Sequence, residues 1–203
     1  MIHRKPQIQK GSLRIIGGVW KSRVIEFSGS KNLRPTADST RETLFNWLAP
    51  EISGSKCLDL FAGSGSLGFE AASRGANEVH MVDNNHITHQ QLLHTCKILA
   101  AIQINVYCQN ALDFLKKSKF GYDIVFLDPP FQNDLLPEIV SILEQSGSMI
   151  DNALIYIEQP NKIDRFELQE RWSVYREKRS SNIIYGLYRL NKNLKSTHNL
   201  QSN

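Results

Sequence analysis

The 203-residue chain has no apolar run longer than a strand, no C-x-x-C pair among its three cysteines, and no lysine behind its glycine-rich loop. Each absence removes a class of protein. Without a long apolar segment, and with an amino terminus (Met1-Ile-His-Arg-Lys-Pro6) that lacks an apolar core, the chain reads as neither membrane-inserted nor secreted, hence cytoplasmic. Cys57, Cys96 and Cys108 lie far apart and read as reduced, buried thiols. No Lys-Ser or Lys-Thr follows the glycines, which excludes a Walker phosphate loop. His86 and His89 stand at i and i+3 without a third ligand in register, so they read as a solvated helix face and no metal is expected.

The composition that remains, 41% hydrophobic and 22% charged, suits one soluble core with a small appendage. A net charge of +4 is modest, but its distribution is uneven. Arg4, Lys5, Lys10, Arg14, Lys21, Arg23, Lys31, Arg34 and Arg41 crowd the first forty-one residues against two acids, Glu26 and Asp38. With Trp20 and Phe27 interleaved, that segment favours a nucleic-acid partner over a merely solvated arm. Residues 1–11 read as disordered and 191–203 as a flexible tail.

Leu13 to Ile16, Gly17-Gly18 and the alternating run Val19 to Phe27 predict a hairpin whose glycines supply unusual φ. Asp38 is placed to cap a helix, with Glu42 near the reciprocal position and Pro50 helping to end it. From residue 56 short apolar runs alternate with helical stretches, among them a helix over 86–100 with Ile87, Leu92, Leu93, Cys96 and Leu99 inward. Such βα alternation predicts an α/β fold, a mostly parallel sheet with helices on both faces and ligands at the carboxyl ends of the strands. The last two strands, Trp172 to Lys178 and Ile183 to Leu190, are joined by a tight turn and must be antiparallel.

Two motifs stand at strand ends. Asp128-Pro129-Pro130-Phe131 closes the run Asp123 to Leu127, and its prolines forbid the strand to continue. A carboxylate, unpaired carbonyls and an aromatic face are held together there. By itself the group reads either as a rigid loop with an exposed Phe or as a clamp for an amine-bearing ring. The second motif, Asp59-Leu-Phe-Ala-Gly63-Ser-Gly65-Ser-Leu-Gly68, satisfies G-x-G-x-x-G between a strand and a helix, with Asp83 ending the next strand. That pattern admits NAD. Asp59, however, sets a carboxylate where it would repel a pyrophosphate and attract an amino-acid ammonium, which favours S-adenosyl-L-methionine. Asp83 is expected at the ribose hydroxyls and Asn110-Ala111 at the adenine edge. Opposed to this cofactor loop across a doubly wound sheet, the Pro-Pro turn reads as the clamp.

In this order the glycine loop, Asp83, Asn110-Ala111 and Asp128-Pro-Pro-Phe131 resemble class I methyltransferases that modify exocyclic amines. Arg14-Ile-Ile-Gly-Gly18, Leu33-Arg-Pro-Thr-Ala-Asp38 and Arg41-Glu-Thr-Leu-Phe-Asn-Trp-Leu48 narrow the resemblance, over residues 12–190, to the RsmD family. The resemblance implies a Rossmann-like class I S-adenosylmethionine-dependent fold and methylation of guanine N2 in the 16S ribosomal RNA of the small subunit by a monomer. It implies an RNA-binding extension over 1–50, a catalytic domain over 51–190 and a tail over 191–203. Asp128, Pro129, Pro130 and Phe131 would be catalytic. Asp59, Phe61, Ala62, Gly63, Ser64, Gly65, Asp83, Asn84, Asn110, Ala111 and Asp128 would hold the cofactor. Arg14, Arg34, Pro35, Thr36, Arg41 and Phe131 would meet RNA, with capping or an internal ion pair equally open for Arg41. Where the family usually carries Glu-x-Asp, this chain has Asp83-Asn-Asn85, which leaves no evident role for Asn85. An adenine-N6 methyltransferase, a NAD-dependent oxidoreductase and a non-catalytic RNA-binding assembly factor are the rival readings.

Overall fold

The computed structural model describes residues 9–29, 37–129, 135–160, 168, 171–180 and 183–191. An antiparallel pair, β1 (Gln9–Arg14) and β2 (Val24–Gly29), is followed by α1 (Asp38–Trp47). Then β3 (Lys56–Asp59), α2 (Ser66–Ser73), β4 (Glu78–Asp83), α3 (His86–Leu99), β5 (Ile104–Cys108), α4 (Ala111–Lys117) and β6 (Tyr122–Leu127) alternate. Helix α5 (Leu136–Ser146) and strands β7 (Met149–Pro160), β8 (Trp172–Arg179) and β9 (Ile183–Leu190) complete the chain.

The seven strands β3 to β9 form one sheet ordered β5-β4-β3-β6-β7-β9-β8. Only β9 runs against the others, pairing antiparallel with β7 and with β8. This is the mostly parallel, Rossmann-like sheet expected, and it has a physical consequence. The chain leaves β3 toward β4 and β5, then returns to β6 on the other side of β3, so a crevice opens between the carboxyl ends of β3 and β6.

Alternation along the strands sorts the core into two layers. Cys57, Val79, Met81, Ile124, Phe126, Leu154 and Tyr156 face α1, α2 and the hairpin, whereas Leu58, Val82, Val125, Leu127, Ile155 and Ile157 face α4 and α5. Leu44, Phe45 and Leu48 of α1 are fully buried in the first layer. Each such side chain contributes roughly 1.5–3 kcal/mol of burial. The hairpin residues Leu13, Ile15, Ile25 and Phe27 join the same continuous cluster.

Several local expectations are corrected. The first hairpin strand starts at Gln9, so residues 9–11, read as disordered, are paired with β2; the second starts at Val24, and residues 17–22 form bends and turns. Gly18 alone of the two glycines has positive φ, 76°. Both glycines serve a close approach: a Cβ at Gly18 would lie 1.8 Å from the Ser73 carbonyl oxygen, and one at Gly17 would lie 2.6 Å from the Arg74 guanidinium. Helix α1 begins at Asp38 without a side-chain cap, because Asp38 Oδ1 instead accepts from Arg41 Nη2 at 2.9 Å. Ile87, expected inward, is 61% exposed on the first turn of α3, and of the cysteines expected buried only Cys57 is, Cys96 being half-buried and Cys108, at the end of β5, exposed. His89 is half-buried rather than on a solvated face, with Nδ1 enclosed and unpartnered among the described residues.

What docks the hairpin on α2 is polar. Glu70 Oε2 accepts from Ile16 N and Oε1 from Gly17 N, both at 2.8 Å, while Arg74 Nε donates to Oε1 at 2.7 Å. Arg41 Nε lies 3.9 Å from Glu70 Oε2, and Arg41 Nη2 also donates to the Arg14 carbonyl. Arg41 is fully buried, so of its two readings the internal ion pair is the one the fold realises. Burial pushes its pKa down, opposed by Asp38 and Glu70. Direct RNA contact by Arg41 is thereby corrected.

Candidate active site at the carboxyl ends of the central strands

Asp59 is the last residue of β3, and after it the chain must turn sharply into α2. Gly63 and Gly65 make the turn at φ 49° and 81°, in the left-handed region that glycine enters without steric cost. A Cβ at Gly65 would strike the Phe69 ring at 2.4 Å. Gly68 has another task, since its Cβ would meet the Met81 side chain at 2.8 Å: its absence lets α2 lie against β4. Ala62 N donates to Val82 O at 2.9 Å and Gly65 N to Ala62 O at 2.7 Å, which pins the loop. Ala62 and Ser64 are buried and Phe61 is half-buried.

Asp59 is 2% exposed, and its Oδ2 accepts from Gly68 N at 2.9 Å. Burial pushes this carboxyl up to about 7; the backbone hydrogen bond from Gly68 works against the shift and the charge of Asp83 adds to it. Asp83, at the end of β4, accepts from Gly63 N at 3.0 Å and from Asn85 N at 2.8 Å. Burial raises its pKa as well, and His89 opposes that. The loop thus binds the strand-end acids through backbone N–H groups.

The asparagines have helix-capping roles that the motif did not announce. Asn85 Oδ1 accepts from Ile87 N at 2.8 Å and Thr88 N at 3.2 Å, capping α3. Asn110 Oδ1 accepts from Leu112 N at 2.9 Å and Asp113 N at 3.4 Å, capping α4. An amide oxygen engaged in this way leaves the Asn110 NH2 group, a donor, to face a ligand. Ala111 follows at the head of α4 and Asn84 is exposed.

Across the crevice, Asp128 is half-buried and Pro129 buried just beyond β6. Pro130, Phe131, Arg34, Pro35 and Thr36 lie outside the described residues. Arg14 is exposed at the end of β1, as are Lys21 and Arg23 in the adjoining turn.

The register aligns these strand ends. Asp59 pairs with Met81 and with Phe126, which puts Asp83 and Asp128 two residues further along their strands on the same face. Leu127 pairs with Ile157, so Glu158 follows level with Asp128. Glu158 was not anticipated from sequence. It is 7% exposed, and Tyr156 donates its hydroxyl proton to Glu158 Oε2 at 2.8 Å. Burial, with the charges of Glu158 and Asp128, holds the Tyr156 hydroxyl well above the ordinary phenol range, so it stays a donor. No local motif marks it, since its level with Asp128 comes from strand register.

The donor set discriminates between ligands. In a dinucleotide fold the N-terminal amides of the first helix receive a pyrophosphate. Here Gly68 N is already taken by Asp59, and the first and last turns of α2 carry no basic residue. A second acid, Asp83, stands beside the first. A cationic, phosphate-free nucleoside fits that field, and a pyrophosphate does not.

Residues 13–189 match the model of the family described as conserved hypothetical protein 95. The chain is 43% identical over 178 residues to the ribosomal RNA small subunit methyltransferase D of Escherichia coli K12, covering 88% of this chain and 90% of that protein. The protein of the same name from Haemophilus influenzae is 43% identical over 183 residues, covering 88% and 94%. The solved structure of yhhF from Escherichia coli superposes with a TM-score of 0.82 at 40% identity, over 90% of this chain and 99% of that one.

Proposed function

Because this chain belongs to the RsmD family, described as conserved hypothetical protein 95, we propose that it is an S-adenosylmethionine-dependent methyltransferase of small-subunit ribosomal RNA, acting on the exocyclic N2 of a guanine. The observation that carries the reading is the pairing of two strand ends: the glycine loop after β3 lies beside Asp128-Pro129 after β6. When bound, the cofactor supplies an electrophilic methyl group on a sulfonium. Everything else is done by the chain.

Asp59 would accept the ammonium of the amino-acid arm, Asp83 the ribose hydroxyls, and the Asn110 amide with Ala111 would meet the adenine edge. Asp59, buried with a second acid nearby and no cation among the described residues, is suited to that ligand. Phe61, Ala62, Ser64 and Asn84 complete the wall. On the acceptor side, Asp128 and the Pro129 carbonyl take hydrogen bonds from N2–H. They hold the nitrogen with its lone pair turned away from the ring, a geometry made only on the way to the transition state. As the nitrogen becomes cationic it turns acidic, and Asp128 or water receives the proton. By its motif Phe131 stacks on the unstacked base, with Pro130 stiffening the turn.

The division of labour falls near residue 50. Exposed Arg14, Lys21 and Arg23, with Arg34, Pro35 and Thr36, contact RNA phosphates and sugars, whereas Arg41 holds the hairpin to α2 from within. Among the described residues no helix is long and apolar enough to cross a membrane, and no group of three or more metal-ligating side chains gathers. The chain is proposed to act as a cytoplasmic monomer.

The test is incubation of the protein with labelled S-adenosylmethionine and undermethylated small ribosomal subunits, followed by nucleoside analysis. Label on N2-methylguanosine supports the proposal. Label on N6-methyladenosine would replace guanine by adenine, and RNA binding without label would make the protein an assembly factor.

A further inference from the structure

Resting on the proposed guanine-N2 reaction, we infer that Glu158 reads the acceptor base: its carboxylate accepts the N1–H of guanine while Asp128 and Pro129 hold N2. The two protons of N2 are accounted for by the Asp128 carboxylate and the Pro129 carbonyl. N1–H, the donor next to N2 on the Watson–Crick edge, then needs an acceptor of its own, since a buried unmatched donor is costly. Glu158 is placed for it. It stands level with Asp128 on the neighbouring strand, one interstrand spacing of about 5 Å away, and on the same face of the sheet.

The side chain is also oriented. Tyr156 Oη, two residues back on the same face, donates to Glu158 Oε2 at 2.8 Å, and Tyr156 packs against Phe126 and Tyr185 with ring centroids 6.4 and 6.5 Å away. A 93% buried carboxylate fixed in this way beside the Asp128 turn, on the strand next to β6, gives more than packing. Adenine presents a lone pair at N1, which a carboxylate repels. The Asp-Pro-Pro-Phe motif cannot make that distinction, because both bases offer it an exocyclic amine.

The test uses small-subunit ribosomal RNA, assembled with its ribosomal proteins, carrying either guanine or 2-aminopurine at the methylated position. 2-Aminopurine keeps the exocyclic amine but has an acceptor at N1. The wild-type protein should prefer guanine by roughly 10²-fold or more in kcat/KM. Glu158→Gln, whose amide can donate to N1 while still accepting from Tyr156, should narrow that preference at least about tenfold. Tyr156→Phe removes the orienting hydroxyl without removing the carboxylate and should narrow it less. A purely structural role would slow both substrates equally and leave the ratio unchanged, which would overturn the inference. Wild-type protein that labels no guanine would instead sink the proposed function, so the two failures are distinguishable.

Discussion

Glu70 and Asp59 are buried to the same degree, at 1% and 2% exposure, yet their surroundings differ in kind. Glu70 has two arginines and two backbone N–H groups of the hairpin around its oxygens. Asp59 has the backbone N–H groups of Gly68 and Phe61, a second acid nearby, and no cation among the described residues. In the first arrangement the carboxylate's charge and both its oxygens are matched by the protein alone, although Arg41 Nε and Nη1 are left without a hydrogen-bond partner among the described residues. The second becomes favourable when a positively charged ligand arrives, so burial of a carboxylate marks a structural site or a binding site according to what neutralises it.

The contrast predicts that damage on the two sides separates into activity and stability. The largest effect is expected from Asp128→Ala, which should lower methyl transfer by roughly 10³-fold while leaving cofactor affinity near normal in calorimetry. Near-normal turnover would remove Asp128 from the chemistry. Glu70→Gln should act in the opposite sense. It leaves the buried arginine charge without its counter-charge and turns an amide NH2 toward one of the two hairpin N–H groups, at a cost of about 3 kcal/mol, or about 10 °C in melting temperature. An unchanged melting temperature would mean that the hairpin is held by its apolar contacts alone.

The smallest effect concerns protons. Asp59 holds its proton to about pH 7 in the folded chain, against 3.8 ordinarily, so between those values the native state binds more protons than the unfolded one. Stability contributed by the protonated group is complete below the lower value and is lost as pH rises through the higher, by at most about 1.4 kcal/mol per pH unit. Asp59→Asn should flatten that decline in melting temperature. If Asp59 meets the cofactor ammonium, wild-type binding at pH 6 should also release a proton, seen as a dependence of calorimetric enthalpy on the buffer. Binding without proton release would place the ammonium elsewhere.

How legible each region was in the sequence follows from the range of the forces that shape it. Gly63, Gly65 and Gly68 could be read because turn conformation and helix–strand approach demand glycine at fixed short spacings. The caps at Asn85 and Asn110 were equally local, yet their setting beside a cofactor motif drew attention to ligand contacts instead. For Arg41 the sequence left RNA contact and an internal ion pair equally open, because its partners Glu70 and the Arg14 carbonyl lie 29 residues ahead and 27 behind. Glu158 carried no motif at all. Its meaning comes from standing level with Asp128, thirty residues away, a relation that strand register creates.

The order of strands and helices, the glycine turn and the Pro-Pro stop were therefore determined by the sequence itself, since backbone geometry and hydrophobic period act within a few residues. Which charges are buried, and with whom, was decided only by the tertiary structure. Charge neutralisation depends on distance in space, and the folded sheet brings acids and arginines from distant segments within hydrogen-bond range.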